Sequence, residues 1–259
     1  MSPLHRLRRH PIPIACRFDR SLVLTWALPA EVLAPLVPRG LALDTYEPAA
    51  SRGEPSGRLG FVAVAVVQTR ALRPRGAPEW MGRSFALVGY RIFVRHSDAT
   101  GRIRRGLHIL SSDTDSVAMR WGGSLLTHYG YRKSTISIGQ TVERMEVHVS
   151  TAGGAADLDV LARLDPAPAA LPAASPFPSA AAARRYAGPL PWTFDHEAQT
   201  DSIVMVRGRR SHWRPHPIAV EVERATFFTR GPFAGTVPRL ANAFTMDAVE
   251  YSWDRGVAA

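Results

Sequence analysis

The chain has one cysteine, Cys16, in 259 residues. A disulfide within it is therefore excluded, and a reducing compartment is expected. Lysine is equally scarce: of 32 Lys+Arg side chains only Lys133 is a lysine. No apolar run approaches the roughly 18 residues of a membrane span. The basic stretch up to Cys16, with Arg6, Arg8 and Arg9, is broken by Pro11 and Pro13 and makes a poor signal peptide. The expected localisation is cytoplasmic, with no membrane partner. Nucleotide-binding patterns of the G-x-G-x-x-G or P-loop type are missing, and Ser111 and Ser112 lack the turn of a hydrolase elbow. His212 and His216 are four apart, but Pro215 and Pro217 oppose the helix that a metal pair at that spacing needs.

Apolar residues make up 46% of the chain, which argues against wholesale disorder. The length allows a core that needs no disulfide or metal. The net charge of +10 invites a nucleic-acid reading. The arginines, however, are scattered from Arg6 to Arg255 without a basic run, so a solvated basic surface is favoured over a nucleic-acid partner.

Most of the pattern is β. Ser21–Trp26, Leu41–Tyr46 and Gly60–Thr69 read as strands, the last apolar on both faces, as for a strand buried between layers. Leu87–Arg95 and Arg105–Leu110 flank turn chemistry and suggest a hairpin. Thr135–Ile138 and Thr141–Val149 suggest a second, turning at Gly139–Gln140. Ser202–Gly208, Ile218–Phe228 and Ala248–Trp253 complete the strands, and Pro29–Leu36 reads as a short helix. The clearest helix lies between Asp113 and Gly130. Asp113, Thr114 and Asp115 are candidate caps, and Val117, Trp121 and Leu125 form the expected buried stripe. Asp165–Ala183 is rich in alanine and proline and reads as a surface loop or insertion. The expected fold is α+β, mostly β: a large curved antiparallel sheet with a barrel-like core around a pocket and a few peripheral helices. Residues 1–259 are expected to form a single domain.

The order LHILSSD, DSVAMRWGGSLLTHYG, YRKSTISI resembles acetoacetate decarboxylase, in which a helix leads into a Tyr/Phe-Pro-Lys-Lys segment. LTWALPAEVLAPLVPRGLALD resembles the start of that family. ARRYAGPLPW and RSHWRPHPIAVEV resemble an uncharacterised bacterial branch of the same superfamily. The resemblance covers roughly Leu22 to Trp253. It implies that Lys133 is the catalytic amine that forms a Schiff base, with Tyr131 beside it. Arg132 stands where the family has proline and Ser134 where it has the second lysine. Arg20 meets a family active-site arginine only with a one-residue shift, which on a strand turns the side chain to the other face. The family's glutamates have no counterpart in FVAVAVV or GYRIFVR.

A lysine amine attacks a carbonyl only when unprotonated, and burial or nearby cations favour that form. Arg91 and Arg95, two turns of the pleat apart on one face, could supply the charge or hold a carboxylate by bidentate contacts. The expected pocket therefore receives Lys133 at least half buried, with Arg91, Arg132, Tyr131, His128 and Arg20 as candidate substrate-binding residues. The leading expectation is a lyase acting on a small oxo acid through an imine, with no metal or organic cofactor needed. The alternative is a binding protein for a small anionic ligand without turnover. Assembly into a homo-oligomer is left open.

Overall fold

The computed structural model describes residues 3–48, 57–165, 167–188 and 190–259. Most of the stretch 47–57, whose polar, Gly/Pro-containing sequence reads as a loop, lies outside them. The elements in chain order are β1 (Ile14–Pro29), α1 (Ala30–Leu33), β2 (Ala42–Leu43), β3 (Leu59–Pro74), β4 (Arg83–Ser97), β5 (Ile103–Thr114), α2 (Val117–Leu126), β6 (Tyr131–Lys133), β7 (Thr135–Gln140) and β8 (Arg144–Ser150). They continue with β9 (Leu158–Arg163), α3 (Ala180–Tyr186), β10 (Trp192–Glu197), β11 (Ser202–Arg210), β12 (His216–Pro217), β13 (Ala219–Ala225), β14 (Arg239–Trp253) and β15 (Val257–Ala258). Seven strands close a ring in the order β14-β1-β3-β4-β5-β10-β11, with β11 pairing back onto β14 at Gly208↔Trp253. Closure leaves the ring without a free edge. Its pairs are antiparallel except β5–β10, which meet in parallel at Thr193↔Leu107. A second, four-stranded antiparallel sheet has the order β13-β9-β8-β7.

Strand periodicity explains how the two sheets divide their side chains. On β3, Val62, Val64 and Val66 point out of the ring and join Met145, Val147 and Val160 of the second sheet in one core cluster. Burying each such side chain contributes roughly 1.5–3 kcal/mol. The alternate residues Ala63, Ala65 and Val67 point into the ring and line a cavity. Small residues on the inner face leave the barrel unfilled where the outer face is packed.

The two expected hairpins form. The second turns at Thr141–Glu143, where the Thr141 hydroxyl accepts from the Glu143 and Arg144 amides, rather than at Gly139–Gln140. The strand expected over Leu41–Tyr46 shrinks to β2, plus an isolated bridge from Tyr46 to Leu59.

The expected helix turns the other way round. Val117, Trp121 and Leu125 are 57%, 67% and 52% exposed, so the apolar stripe faces outward. The face turned to the barrel carries the glycines. A Cβ at Gly123 would lie 2.6 Å from the Tyr131 ring, so glycine is required by close approach. Ser116, not one of the three residues before it, caps the helix by accepting from the Met119 amide at 3.2 Å.

The Ala/Pro-rich stretch 165–183 is also corrected: it is partly core. Phe177 is buried, and its ring stacks on Phe61 with centroids 5.3 Å apart. The Ser175 hydroxyl donates to the Ala241 carbonyl at 2.7 Å, and Ser179 caps α3. Phe177, with Leu171 packed against the same cluster, pins a segment that has no apolar periodicity.

Candidate functional site

A cavity of about 150 Å³ lies inside the barrel. Local irregularities decide which side chains reach it. In β5 the register slips between Ile109 and Ser111 opposite β4, so the inward set changes from Leu107 and Ile109 to Ser112. In β14 Ala248 has φ +54°, and the inward set passes from Phe244 and Met246 to Val249 and Tyr251. Bulges of this kind commonly re-aim side chains beside functional sites.

The wall is mostly apolar, with Arg91 as its central charge. The guanidinium lies over Gly89, where a Cβ would sit 3.0 Å from Nε and 3.1 Å from Nη2. The buried Nε has no hydrogen-bond partner, and among the described residues no carboxylate pairs with Arg91. An unpaired, partly buried guanidinium is costly unless something meets it. Phenols surround it. Burial raises the pKa of Tyr129, Tyr131 and Tyr251, and the Arg91 charge acts against burial in all three. They are neutral hydroxyls at neutral pH. Arg210 also reaches the wall, its guanidinium over the rings of Trp213 and Tyr251 at 5.6 and 6.0 Å, and burial lowers its pKa. No lysine and no carboxylate line the cavity among the described residues.

Of the residues singled out in the sequence, Arg91 and Tyr131 meet at this cavity. Lys133 does not. It is exposed, and its amine donates to the Ser134 carbonyl at 3.2 Å. The expected burial is therefore corrected: β6 pairs along β5 in the register Tyr131↔Ser112 and Lys133↔Thr114, which carries Lys133 past the cavity to the end of the barrel strand. Arg132 points the other way and makes a two-pronged pair with buried Asp113 at 3.1 and 2.8 Å. The Ser134 hydroxyl donates to the same carboxylate at 2.9 Å. Asp113 is thus a strand residue that fastens β6, not a helix cap.

Arg20 faces away from the cavity and pairs with Asp247 across β1–β14 at 2.5 and 3.0 Å. Ser21 takes the inward place, as the one-residue shift requires. Arg95 is held by buried Asp44 at 2.5 Å, together with Arg105 at 2.6 Å. His128 lies beyond the end of α2, 4.0 Å from Glu197. Burial lowers its pKa, against the pull of Asp195 and Glu197, and it is not part of the cavity wall.

Sequence reasoning did not find Tyr129, Arg210 or Tyr251. The signal for the first was its spacing from Tyr131, two residues on across Gly130. For Tyr251 it was strand alternation beyond the positive-φ Ala248, which the sequence does not announce, and Arg210 lies at the end of β11, past the run Ser202–Gly208 that reads as a strand.

A closed β-ring around a cavity, flanked by a second sheet and few helices, defines the acetoacetate decarboxylase-like fold, and solved structures agree. Acetoacetate decarboxylase from Legionella pneumophila subsp. pneumophila str. Philadelphia 1 is 11% identical, with a TM-score of 0.60 over 96% of this chain and 88% of its own. An acetoacetate decarboxylase-like enzyme from Sphingomonas wittichii RW1 is 15% identical, with a TM-score of 0.58 over 98% and 94%. The enduracididine biosynthesis enzyme MppR, complexed with pyruvate, is 12% identical, with a TM-score of 0.56 over 96% and 90%. The chain itself belongs to the DUF2071 family, described as "Uncharacterized conserved protein (COG2071)", which matches residues 16–249. No curated protein matches it. No helix among the described residues is long and apolar enough to cross a membrane.

Proposed function

We propose that the barrel interior binds a small molecule with an anionic end, a carboxylate in the first instance, and that Arg91 holds that end. The observation that carries this reading is the guanidinium itself, partly buried, with an unpartnered Nε and no acidic partner among the described residues. A carboxylate would supply both the missing charge and the missing acceptors, and bidentate pairing suits arginine. The phenols around it offer neutral donors, and the apolar remainder of the wall fits an uncharged body. That one protein of this fold is complexed with pyruvate is consistent with a carboxylate ligand.

The test is calorimetric titration with acetate, pyruvate, acetoacetate and benzoate. Arg91→Met should weaken binding at least tenfold, the size expected from losing one charge-assisted pair of about 1.5–3 kcal/mol. Equal affinity in parent and variant would count against Arg91 as the anchor.

Imine chemistry at Lys133 is the second reading. It is favoured by one observation: Lys133 lies two residues from Tyr131 on the same strand, and residues at that spacing share a face. A shift of the strand end would be needed to bring the amine to a ligand. Borohydride reduction with a panel of oxo acids tests it, because Lys133 is the only lysine. A mass adduct on the peptide carrying Lys133 would make this the leading reading. An unlabelled Lys133 would leave binding without covalent chemistry.

A further inference from the structure

A second cavity, of about 280 Å³, lies between α2 and the barrel wall. Ile14, Leu72, Phe85, Met119 and Leu126 are among its walls, and it is more apolar than the first. Four residues, Leu87, Tyr129, Tyr131 and Trp253, line both cavities. The two spaces are therefore neighbouring chambers with one shared partition, and Tyr131 of that partition is seated against Gly123 of α2. Arg91 belongs to the smaller chamber alone.

Size and polarity assign different parts of a ligand to the two spaces. An apolar cavity of about 150 Å³ is large enough to take up benzene. The second chamber exceeds that, and a small oxo acid anchored at Arg91 would leave it unused. We propose that the ligand is an amphiphile: a carboxylate seated at Arg91 that carries an aromatic or medium-length alkyl arm past Tyr129 and Tyr131 into the chamber under α2. This rests on the anion-binding reading above and adds to it the class of ligand. It also gives a role to a second glycine in the helix. A Cβ at Gly122 would meet nothing within 4 Å, and Gly122 lines the larger chamber, so its missing side chain leaves space open there.

Gly122→Leu fills that space and, unlike most cavity-filling changes, also improves helix propensity, so the variant should fold. The probes are acetate, 3-phenylpropanoate and uncharged toluene, titrated into parent, Gly122→Leu and Arg91→Met. The parent should bind 3-phenylpropanoate at least tenfold more tightly than acetate. Gly122→Leu should reduce that ratio to less than threefold and weaken toluene. In Arg91→Met the loss should be confined to the two acids. A parent ratio near one, with acetate still dependent on Arg91, would overturn the amphiphile and leave the anion site standing. Toluene binding without any binding of the acids would overturn the anion site, and the amphiphile with it. A Gly122→Leu variant with the parent's ratio would show that the arm lies elsewhere.

Discussion

The outer and inner faces of the barrel wall are made from the same strands and are put to different use. Outside, Val62, Val64 and Val66 interlock with Met145, Val147 and Val160. Inside, the intervening Ala63 and Ala65 leave a cavity lined by a guanidinium that has no carboxylate partner among the described residues. One face is filled to stabilise the fold and the other is left open around a charge that no described carboxylate meets. The lesson is that strand alternation can separate stability from binding within one element. Substitutions on the two faces should then affect different measurements.

The inner face is not hollow throughout, and the largest effect is expected where it is filled. Phe61, Phe93, Phe177 and Tyr186 form an aromatic cluster inside the ring. Phe177→Ala should lower unfolding free energy by about 3–5 kcal/mol, read from urea denaturation. A change below about 1 kcal/mol would return the 165–183 stretch to the status of a surface loop. In the second sheet, which packs on the outer face, Leu158→Ala, fully buried, should cost about 2–5 kcal/mol and leave carboxylate affinity unaltered. Lost affinity in a variant that is still folded would mean that the faces are coupled.

The open part of the inner face should behave in the opposite way. Gly89→Val places carbon where the Arg91 guanidinium now lies. It should weaken carboxylate binding severalfold while the denaturation midpoint moves little, since the displaced group makes no ion pair among the described residues. A large loss of stability with intact binding would contradict that division.

The smallest effect concerns pH. Arg9, against the opposing effect of burial and with help from Thr200, depresses the Glu197 carboxyl from its usual 4.5 to about 2. A depressed acid contributes stability that is present above its unfolded value and lost as pH falls through the folded one. The parent should therefore lose stability relative to Glu197→Gln between about pH 4.5 and 2. Parallel acid profiles of the two proteins would show that this pair contributes nothing on the acid side.

The architecture was legible in the sequence where periodicity carries it. GFVAVAVVQT reads as a strand buried on both faces, and the hairpin around HSDATGR follows from turn chemistry. The α2 stripe misled because Val117, Trp121 and Leu125 satisfy helical spacing, whereas the contact face is chosen by what can approach closely, and there it is glycine. The 165–183 stretch misled because one phenylalanine leaves no period to detect.

The site was half legible. Alternation put Arg91 on a face with Arg95, and the structure keeps the first in the cavity while Asp44 takes the second. The register shifts in β1 and β5 and the positive φ at Ala248 in β14 reset the parity of the strands, and no local sequence marks them. This is why Arg20 faces out, Ser21 faces in, and Tyr251 came unannounced. The register of β6 against β5 fixed the place of Lys133, and register between strands is a tertiary property.

The most direct test of the central claim is a crystal structure with 3-phenylpropanoate bound. The carboxylate should lie within hydrogen-bonding distance of the Arg91 guanidinium, with the phenyl ring beyond Tyr129 and Tyr131 under α2 and Lys133 untouched. A ligand bound at the Lys133 amine, with the barrel interior empty, would contradict it.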